Sequence, residues 1–194
     1  MRTGKGRKKS RPVRRVIVVD PRRCLACRTC EIECAVAHSR SKELLQAMAE
    51  EVPPRPRVTL EWAEGFAVPL QCRHCEDAPC VAVCPTGALS RENEESPVLV
   101  NGDLCIGCRS CILACPFGVI SMAEMGERHS AIIKCDLCVE RLAAGRLPAC
   151  VEGCPTGALS FRELGEVAGA ARKRAAKELI AAGGSEQSGG REAS

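Results

Sequence analysis

The stretch Cys105-Ile-Gly-Cys108-Arg-Ser-Cys111-Ile-Leu-Ala-Cys115-Pro116 decides how the rest of this chain folds. Its four cysteines are spaced C-x2-C-x2-C-x3-C, and a proline follows the last of them. Gaps of two residues let one tight loop wrap three thiolates around a common centre, while the fourth cysteine lies further along. The spacing therefore predicts a loop that holds a metal centre with thiolate ligands.

All 16 cysteines of the 194-residue chain fall into four such motifs, numbered here in chain order. The motifs are Cys24, Cys27, Cys30 and Cys34; Cys72, Cys75, Cys80 and Cys84; Cys105, Cys108, Cys111 and Cys115; and Cys135, Cys138, Cys150 and Cys154. The first motif has the spacing of the third, whereas the middle gap grows to four residues in the second and to eleven in the fourth. A proline follows the last cysteine of every motif except the first.

The repetition extends beyond the cysteines. Residues 84–90, CPTGALS, recur unchanged as residues 154–160. The segment Val18-Val19-Asp20 precedes the first motif at the same offset at which Leu99-Val100-Asn101 precedes the third. Self-similarity of this kind indicates that one unit was duplicated.

The motifs favour 4Fe-4S clusters over zinc and over disulfides. Pairs spaced C-x2-C also bind zinc, but a third cysteine two residues later and the C-x3-C-P ending are features that zinc ribbons lack. In two-cluster bacterial ferredoxins, the last cysteine of each run binds the other cluster. The 16 cysteines therefore predict four 4Fe-4S clusters with ligands exchanged between motifs. Spacing alone leaves open whether the third motif exchanges with the second or with the fourth.

The N-terminal region bears on the compartment. Residues 1–15 carry eight basic side chains and precede an apolar run of only four residues, at 16–19. That run is too short for a signal-peptide core, which needs about 7 to 15 residues, and no stretch approaches the roughly 18 apolar residues of a membrane span. We therefore expect a cytoplasmic protein with reduced thiols, associated with a membrane only through a partner. We expect residues 1–15 to be a basic, disordered arm that binds no nucleic acid.

Short apolar runs beside the motifs predict an α+β fold. We expect strands at 16–19, 88–90, 98–100, 119–122 and 158–161, and helical turns after the third cysteine of each motif. Two β-hairpins are expected as insertions, one at 57–70 that turns at Gly65 and one at 119–134 that turns near Gly126. The first hairpin alternates apolar and polar residues, which predicts that Trp62 packs against the body of the protein.

Two further helices are predicted outside the motifs. Ser41 is a suitable N-cap for a helix that reaches Glu51, before prolines at 53, 54 and 56 end it. Residues 162–182 are expected to form a C-terminal helix whose apolar face packs on the protein's own body. Residues 183–194 are rich in glycine and serine and are expected to be a disordered tail.

No catalytic constellation is visible in the sequence. There is no phosphate loop and no nucleophile with its base, and the clusters use every cysteine, so that no metal keeps an open position. We assign His38 and His129 to polar loops without a function. His74, between two cysteines of the second motif, either tunes a cluster by hydrogen bonding or takes a solvent-facing or ligand-adjacent position with no special role. We therefore expect a non-catalytic protein that moves electrons.

Residues 16 to about 161 resemble the four-cluster ferredoxin-like electron-transfer subunits of molybdopterin oxidoreductases, formate dehydrogenases, hydrogenases and carbon monoxide dehydrogenase. The resemblance rests on Cys72-Arg-His-Cys75, on Cys105-Ile-Gly-Cys108, and on Lys134-Cys-Asp-Leu-Cys138 followed by Pro148-Ala-Cys150 and the CPTGA segment at 154–158. The length of the chain and the ECAVAHS segment at 33–39 look most like the carbon monoxide dehydrogenase iron-sulfur subunit. Two departures from the family pattern are Ala26, where such loops often have glycine, and the absence of a proline after Cys34.

The resemblance implies both a ligand pattern and an architecture. The implied ligand sets are Cys72, Cys75, Cys80 and Cys115; Cys105, Cys108, Cys111 and Cys84; Cys24, Cys27, Cys30 and Cys154; and Cys135, Cys138, Cys150 and Cys34. The implied fold has two pseudo-symmetric bacterial-type 2x(4Fe-4S) ferredoxin modules with inserted β-hairpins. Its inner module covers about 66–118 and its outer module about 16–40 plus 130–161, within one four-cluster domain at 16–161.

The resemblance also implies a function. The protein would relay electrons along its four clusters between a catalytic subunit, carbon monoxide dehydrogenase-like or hydrogenase-like, and an acceptor, which can be a membrane-bound partner. An alternative is a B-type iron-sulfur subunit of a molybdopterin oxidoreductase. A remote alternative from another class is a zinc- or cluster-bearing nucleic-acid-binding module that uses the basic arm.

Metal-free protein is expected not to fold. Aromatic residues make up only 2% of the chain, so that large apolar side chains cannot supply most of the folding free energy, and cluster binding has to contribute much of it. Calorimetry of the metal-free protein should show no cooperative thermal transition. A cooperative transition in iron-free, zinc-free protein would contradict this expectation.

Overall fold

The computed structural model describes residues 14–124 and 130–183. Most of the predicted basic arm, the turn predicted near Gly126 and nearly all of the predicted C-terminal tail lie outside these residues. The described chain forms two compact units. One unit is residues 17–161, which contain every cysteine, and the other is residues 14–16 with 162–183.

The elements are short and alternate along the chain. The strands are β1 (Arg15–Val19), β2 (Val58–Ala63), β3 (Phe66–Gln71), β4 (Leu89–Ser90), β5 (Leu99–Val100), β6 (Ser121–Glu124), β7 (Ser130–Ile133) and β8 (Leu159–Glu163). The helices are α1 (Thr29–Ala37), α2 (Leu44–Met48), α3 (Pro79–Ala82), α4 (Ser110–Ala114), α5 (Val139–Ala143), α6 (Ala149–Glu152) and α7 (Leu164–Gly183). The strands form four separate two-stranded sheets, and the small mixed α+β fold agrees with the sequence-based expectation.

Two of the sheets each join one motif to another. Strand β1, before the first motif, pairs with β8, after the fourth, and β4, after the second motif, pairs with β5, before the third. The two pairings end on equivalent hydrogen bonds: Asp20 N–H donates to the carbonyl of Ala158 at 2.8 Å, and Asn101 N–H donates to that of Ala88 at 2.7 Å. The duplicated CPTGALS segments therefore occupy equivalent positions in two sheets.

The helices of the motifs repeat this pairing. Each motif starts a helix at the residue before its third cysteine, in α1, α3, α4 and α6. Helix α1 packs against α6, and α3 packs against α4. Strands and helices thus bring the first motif to the fourth and the second motif to the third.

Two hydrophobic clusters lie inside the cysteine-bearing unit. One is built mainly from the second and third motifs and the β6–β7 hairpin, with Leu89, Val98 and Ile132 among its buried residues. The other is built mainly from the first and fourth motifs, with Ile17 and Val58 among its buried residues. Cysteines contribute to both clusters, so that thiols and aliphatic side chains share the interior.

The two inserted hairpins are confirmed. Strands β2 and β3 pair antiparallel with Ala63 opposite Phe66, and β6 and β7 pair antiparallel with Glu124 opposite Ser130. The prediction for Trp62 is wrong, because its side chain is exposed, whereas Val58 on the same face of β2 is buried. The strand leaves the protein body after Leu60, so that its last large apolar residue faces solvent.

The helix predicted to begin at Ser41 is shorter than expected. Helix α2 has Glu43 as its N-cap, whose carboxylate accepts hydrogen bonds from Leu45 N–H and Gln46 N–H at 3.3 and 2.9 Å. The Ser41 hydroxyl and amide instead donate to the Glu50 carboxylate at 3.0 and 2.9 Å. This contact closes the segment into a loop and uses the hydroxyl that would otherwise cap a longer helix.

The smaller unit consists largely of α7. The helix starts at Leu164, whose N–H donates to the carbonyl of Arg14 at 2.9 Å, because residues 162 and 163 still belong to β8. Most of its side chains are exposed. None of the helices in the described part of the protein is long and apolar enough to cross a membrane.

Each C-x2-C loop contains a left-handed residue just before its second cysteine. These residues are Ala26, His74, Gly107 and Leu137, with φ of 58°, 48°, 67° and 59°. A side chain with a Cβ atom costs about 1–2 kcal/mol in this conformation, whereas glycine adopts it freely. The first motif therefore bears a strain at Ala26 that the third motif avoids with Gly107.

Reciprocal substitutions at these two positions should have opposite effects. Ala26→Gly should raise the free energy of unfolding of the cluster-loaded protein by about 1 kcal/mol, and Gly107→Ala should lower it by about the same amount. A Cβ atom at Gly107 would meet nothing closer than 3.7 Å, so that only the backbone conformation is penalised. Denaturant titration, followed by the visible absorbance of the clusters, measures both changes. A loss of stability in Ala26→Gly would show that the loop gains nothing from glycine.

Candidate iron-sulfur sites

Two cavities are each lined by cysteines of both the second and the third motif. One is lined by Cys72, Cys75 and Cys80 of the second motif together with Cys115 of the third. The other is lined by Cys105, Cys108 and Cys111 of the third motif together with Cys84 of the second. In each cavity, three cysteines come from one motif and the last cysteine comes from its partner.

Electrostatic contacts reveal a similar arrangement in the other two motifs. Burial raises the pKa of the Cys150 thiol, and the charges of Cys135, Cys34 and Cys138 raise it further. Hydrogen bonding by Thr29 lowers the pKa of Cys27, and the charge of Cys154 opposes that change. The last cysteines of the first and fourth motifs therefore lie near the other motif's leading cysteines.

The cysteines differ in their exposure to solvent. Cys34, Cys135, Cys138 and Cys150 are all buried. The cavity that contains Cys72 has no exposed cysteine, whereas Cys108 in the other cavity and Cys27 of the first motif are exposed. Solvent therefore reaches Cys27 and Cys108 more freely than the other thiols.

Burial controls the protonation of several thiols in the absence of metal. Burial raises the pKa of Cys135 well above the usual range and that of Cys30 to about 11, so that both are neutral thiols when no metal is bound. Iron or any other soft cation would displace these protons, since the thiolate is the ligand. At the exposed Cys108, hydrogen bonds from Ser110 lower the pKa instead.

Backbone amides point at the sulfurs, as a cluster with negative charge requires. His74 N–H donates to Cys72 Sγ and Leu137 N–H donates to Cys135 Sγ, both at 3.4 Å. His74 and Leu137 are the left-handed residues of their C-x2-C loops. A third amide, that of Arg57, donates to Cys34 Sγ at 3.2 Å. The residues present thus fit 4Fe-4S clusters in charge and in hydrogen bonding.

A charged network beside Cys34 was missed by the sequence analysis. The Asp136 carboxylate accepts hydrogen bonds from His38 Nε2 at 3.1 Å and from the Arg57 guanidinium at 2.5 Å. His38 Nδ1 lies 2.7 Å from the carbonyl oxygen of Cys34, to which it donates. The assignment of His38 to a loop without a role is therefore wrong. Its position four residues after Cys34 was the available signal, because residues at that spacing share a helix face.

The network holds its members ionised. Burial alone would lower the pKa of His38, but its hydrogen bonds with Asp136 and Cys34 prevail and raise that pKa to about 9. Burial likewise opposes ionisation of Asp136, yet the hydrogen bond from His38 and the charge of Arg57 hold the pKa of this carboxyl far below its usual value. The result is a partly buried ion cluster with two positive charges and one negative charge next to the fourth motif.

His74 is buried, which excludes a solvent-facing role. Its Nδ1 accepts a hydrogen bond from Val98 N–H at 3.1 Å, so that the ring proton resides on Nε2 in the neutral imidazole. The guanidinium of Arg91 donates to the carbonyls of His74 and Cys75. The loop of the second motif is therefore fixed on both sides by side chains that are not cysteines.

Paired cysteine motifs, shared cavities and sulfur-directed amides together define an iron-sulfur protein. The 4Fe-4S dicluster domain family matches residues 63–164, more than half of the chain, and the chain belongs to that family.

Named relatives agree with this membership. An iron-sulfur protein of Rhodospirillum rubrum is 39% identical over 139 residues, which cover 68% of this chain and 72% of that protein. Electron transport protein HydN of Escherichia coli K12 is 35% identical over 143 residues, which cover 66% of this chain and 77% of HydN. The B component of anaerobic dimethyl sulfoxide reductase from the same bacterium is 35% identical over 140 residues, which cover 67% of this chain and 64% of that protein.

These findings establish the general role. The protein is an electron-transfer iron-sulfur protein of the kind that serves as a non-catalytic subunit of oxidoreductases, and its 16 cysteines fit four 4Fe-4S clusters. None of the three relatives is named for carbon monoxide dehydrogenase, so that this narrower likeness stays a prediction.

Removing the charge of Asp136 should weaken the buried fourth motif. In Asp136→Asn, the half-buried Arg57 and His38 lose their anionic partner, and a charged group left without its partner costs about 1–3 kcal/mol. We expect faster loss of one of the four clusters on incubation with a chelator, measured by visible absorbance and iron release. Asp103→Asn, at an exposed aspartate beside the third motif, is the matched control and should behave as the unaltered protein. Equal rates in the two variants would contradict a role for the network.

Proposed function

We propose that this protein is a wire of four 4Fe-4S clusters whose ligands are exchanged between the first and fourth motifs and between the second and third. The proposed ligand sets, named in this order, are set A, Cys24, Cys27, Cys30 and Cys154; set B, Cys34, Cys135, Cys138 and Cys150; set C, Cys72, Cys75, Cys80 and Cys115; and set D, Cys84, Cys105, Cys108 and Cys111. Sets A and B form an outer module, and sets C and D form an inner module.

The observation that carries the proposal is the lining of the two cavities by sets C and D. Each cavity combines three cysteines of one motif with the last cysteine of the other. If each cluster were held only by its own motif, Cys84 would line the cavity of Cys72, Cys75 and Cys80, and Cys115 would line the cavity of Cys105, Cys108 and Cys111. The pairing of β4 with β5 and the packing of α3 on α4 support the same exchange.

The order A, B, C, D is supported by electrostatic interactions between neighbouring sets. Sets A and B meet where the charge of Cys30 acts on Cys150, and sets B and C meet where that of Cys72 acts on Cys135. Sets A and D contain the exposed cysteines Cys27 and Cys108, as expected for the ends of a line. Electrons would enter at one end and leave at the other.

The protein's own groups hold and tune the clusters. A bound 4Fe-4S cluster supplies one-electron chemistry. The cysteine thiolates fix its position, and the amides of His74, Leu137 and Arg57 donate hydrogen bonds to sulfur, which favours the more negatively charged reduced state. The aliphatic side chains around sets B and C exclude water, so that these hydrogen bonds act in a medium of low dielectric constant.

The partner is proposed to be a catalytic oxidoreductase subunit, either carbon monoxide dehydrogenase-like or hydrogenase-like, with a membrane-bound protein as one candidate acceptor. A second candidate function, the B-type subunit of a molybdopterin oxidoreductase, is favoured by the similarity to the B component of dimethyl sulfoxide reductase. Affinity purification of the protein from its native host under anaerobic conditions separates the two. A nickel-containing partner would support the first candidate, and a molybdopterin-containing partner the second.

The cluster count has a direct test. Anaerobically purified protein should contain about 16 iron and 16 acid-labile sulfide per chain, and the dithionite-reduced sample should give an EPR spectrum of interacting clusters. Stoichiometric zinc without sulfide would overturn the proposal and favour the binding-module alternative. In that case, deletion of residues 2–15 should abolish binding to DNA or RNA.

Ligand exchange predicts which cysteine variants resemble one another. Cys115→Ser should damage the same cluster as Cys75→Ser, and Cys84→Ser should damage the same cluster as Cys108→Ser. EPR spectra recorded for the four reduced variants should therefore fall into these two pairs. If Cys115→Ser instead matches Cys108→Ser, each motif keeps its own fourth ligand and the exchange is wrong.

A further inference from the structure

Lys134 is a lysine in the interior of the cysteine-bearing unit, directly before Cys135 of the fourth motif. Only 2% of its surface is exposed. An ammonium group is expensive to remove from water unless opposite charges or strong acceptors replace the lost hydration. The position therefore needs a compensating partner.

The hydrogen bonds of Lys134 supply only part of that compensation. Its Nζ donates to the carbonyl oxygen of Val98 and to that of Cys135, the latter at 2.9 Å. Both acceptors are neutral backbone groups. Lys134 takes part in none of the ion pairs formed within residues 14–124 and 130–183. No carboxylate among these residues is therefore in direct ion-pair contact with it.

The proposed thiolate sets B and C lie on either side of Lys134. Lys134 directly precedes Cys135 of set B in the sequence. Its charge also acts on Cys80 of set C, where it opposes the increase in pKa that burial and the Cys72 thiolate cause. Cys72 of set C and Cys135 of set B are themselves close enough to interact. Lys134 thus lies at the junction of the two middle sets.

We propose that Lys134 is a positioning residue whose fixed positive charge raises the reduction potentials of the two middle clusters, B and C, above the values they would otherwise have. The inference rests on the proposed ligand sets. A 4Fe-4S cluster with four thiolates carries a charge of about −2, and reduction by one electron makes it about −3. A nearby cation in a medium of low dielectric constant favours the more negative state. No proton and no second reactant are needed for this effect.

A purely structural role would have a different signature. Lys134 links the carbonyl of Val98 to the fourth motif, and Val98 N–H donates to His74 of the second motif. If this link only held the two modules together, its loss would change stability or cluster content. It would leave the potentials of clusters that do assemble unchanged.

The test is an EPR-monitored potentiometric titration of three full-length, cluster-loaded variants. Lys134→Met removes the charge and keeps much of the side-chain length, whereas Lys134→Arg keeps the charge. Lys42→Met is the matched control, because Lys42 Nζ also donates to a backbone carbonyl, that of Ala37 at 2.8 Å, but the residue is exposed. Iron and sulfide are counted first in every sample.

In Lys134→Met, two of the four midpoint potentials should fall and the other two should not. At a fixed applied potential, the ratio of reduced to oxidised cluster should fall about tenfold or more for these two clusters, which corresponds to about 59 mV for a one-electron couple. Lys134→Arg should keep both potentials close to those of the unaltered protein, and Lys42→Met should keep all four.

Several outcomes would overturn the proposal. These are four unchanged potentials in Lys134→Met, an equal shift of all four, or a shift of equal size in Lys134→Arg. If Lys134→Met does not assemble its clusters, Lys134→Gln is measured instead, because glutamine keeps hydrogen-bond donors without the charge. Loss of the middle clusters in both neutral variants would show that Lys134 acts in cluster assembly and not on the potentials. The proposal of a four-cluster wire is tested independently of Lys134, because it is wrong if the unaltered protein does not contain four clusters.

Discussion

The convergence of thiols from distant parts of the sequence is the constraint on which the structure depends. All sixteen cysteines lie within residues 17–161, where different motifs come together, and half of them are buried. Ionised thiolates this close repel one another strongly unless cations lie between them. The secondary-structure elements around the motifs are short, namely two-stranded sheets and helices of one to three turns. Metal ligation, more than apolar packing, has to stabilise such an arrangement.

Backbone and side-chain groups near the motifs stabilise the resulting negative charge. Left-handed loop residues direct amides at sulfur, and the Arg91 guanidinium fixes the second motif through carbonyl contacts. Arg57 and His38 place positive charge beside Cys34, balanced in part by Asp136. Arg57 and His38 thus lie beside a buried cysteine, where little water is available to stabilise negative charge. Positive charge is therefore placed where burial leaves negative charge least hydrated.

Spacing and periodicity predicted the features that depend on local sequence. The four motifs, the strands beside them and the β2–β3 hairpin all follow from cysteine gaps, duplicated segments and alternation. Features that depend on tertiary contacts were missed. Trp62 continues the alternation of its strand but extends beyond the protein body, and Glu43 caps the helix that was assigned to Ser41. Asp136 has a role because His38 and Arg57, 98 and 79 residues earlier in the sequence, fold next to it.

The missing proline after Cys34 has a consequence for the symmetry of the molecule. In the third motif, Cys115 already has an extended backbone before Pro116, and α4 ends at Ala114. In the first motif, the helix instead runs on to Ala37 and brings His38 to Asp136. A perfectly duplicated protein would have two equivalent halves and no intrinsic direction from one to the other. The residue after the last cysteine is one of the differences that make the first and third motifs chemically distinguishable.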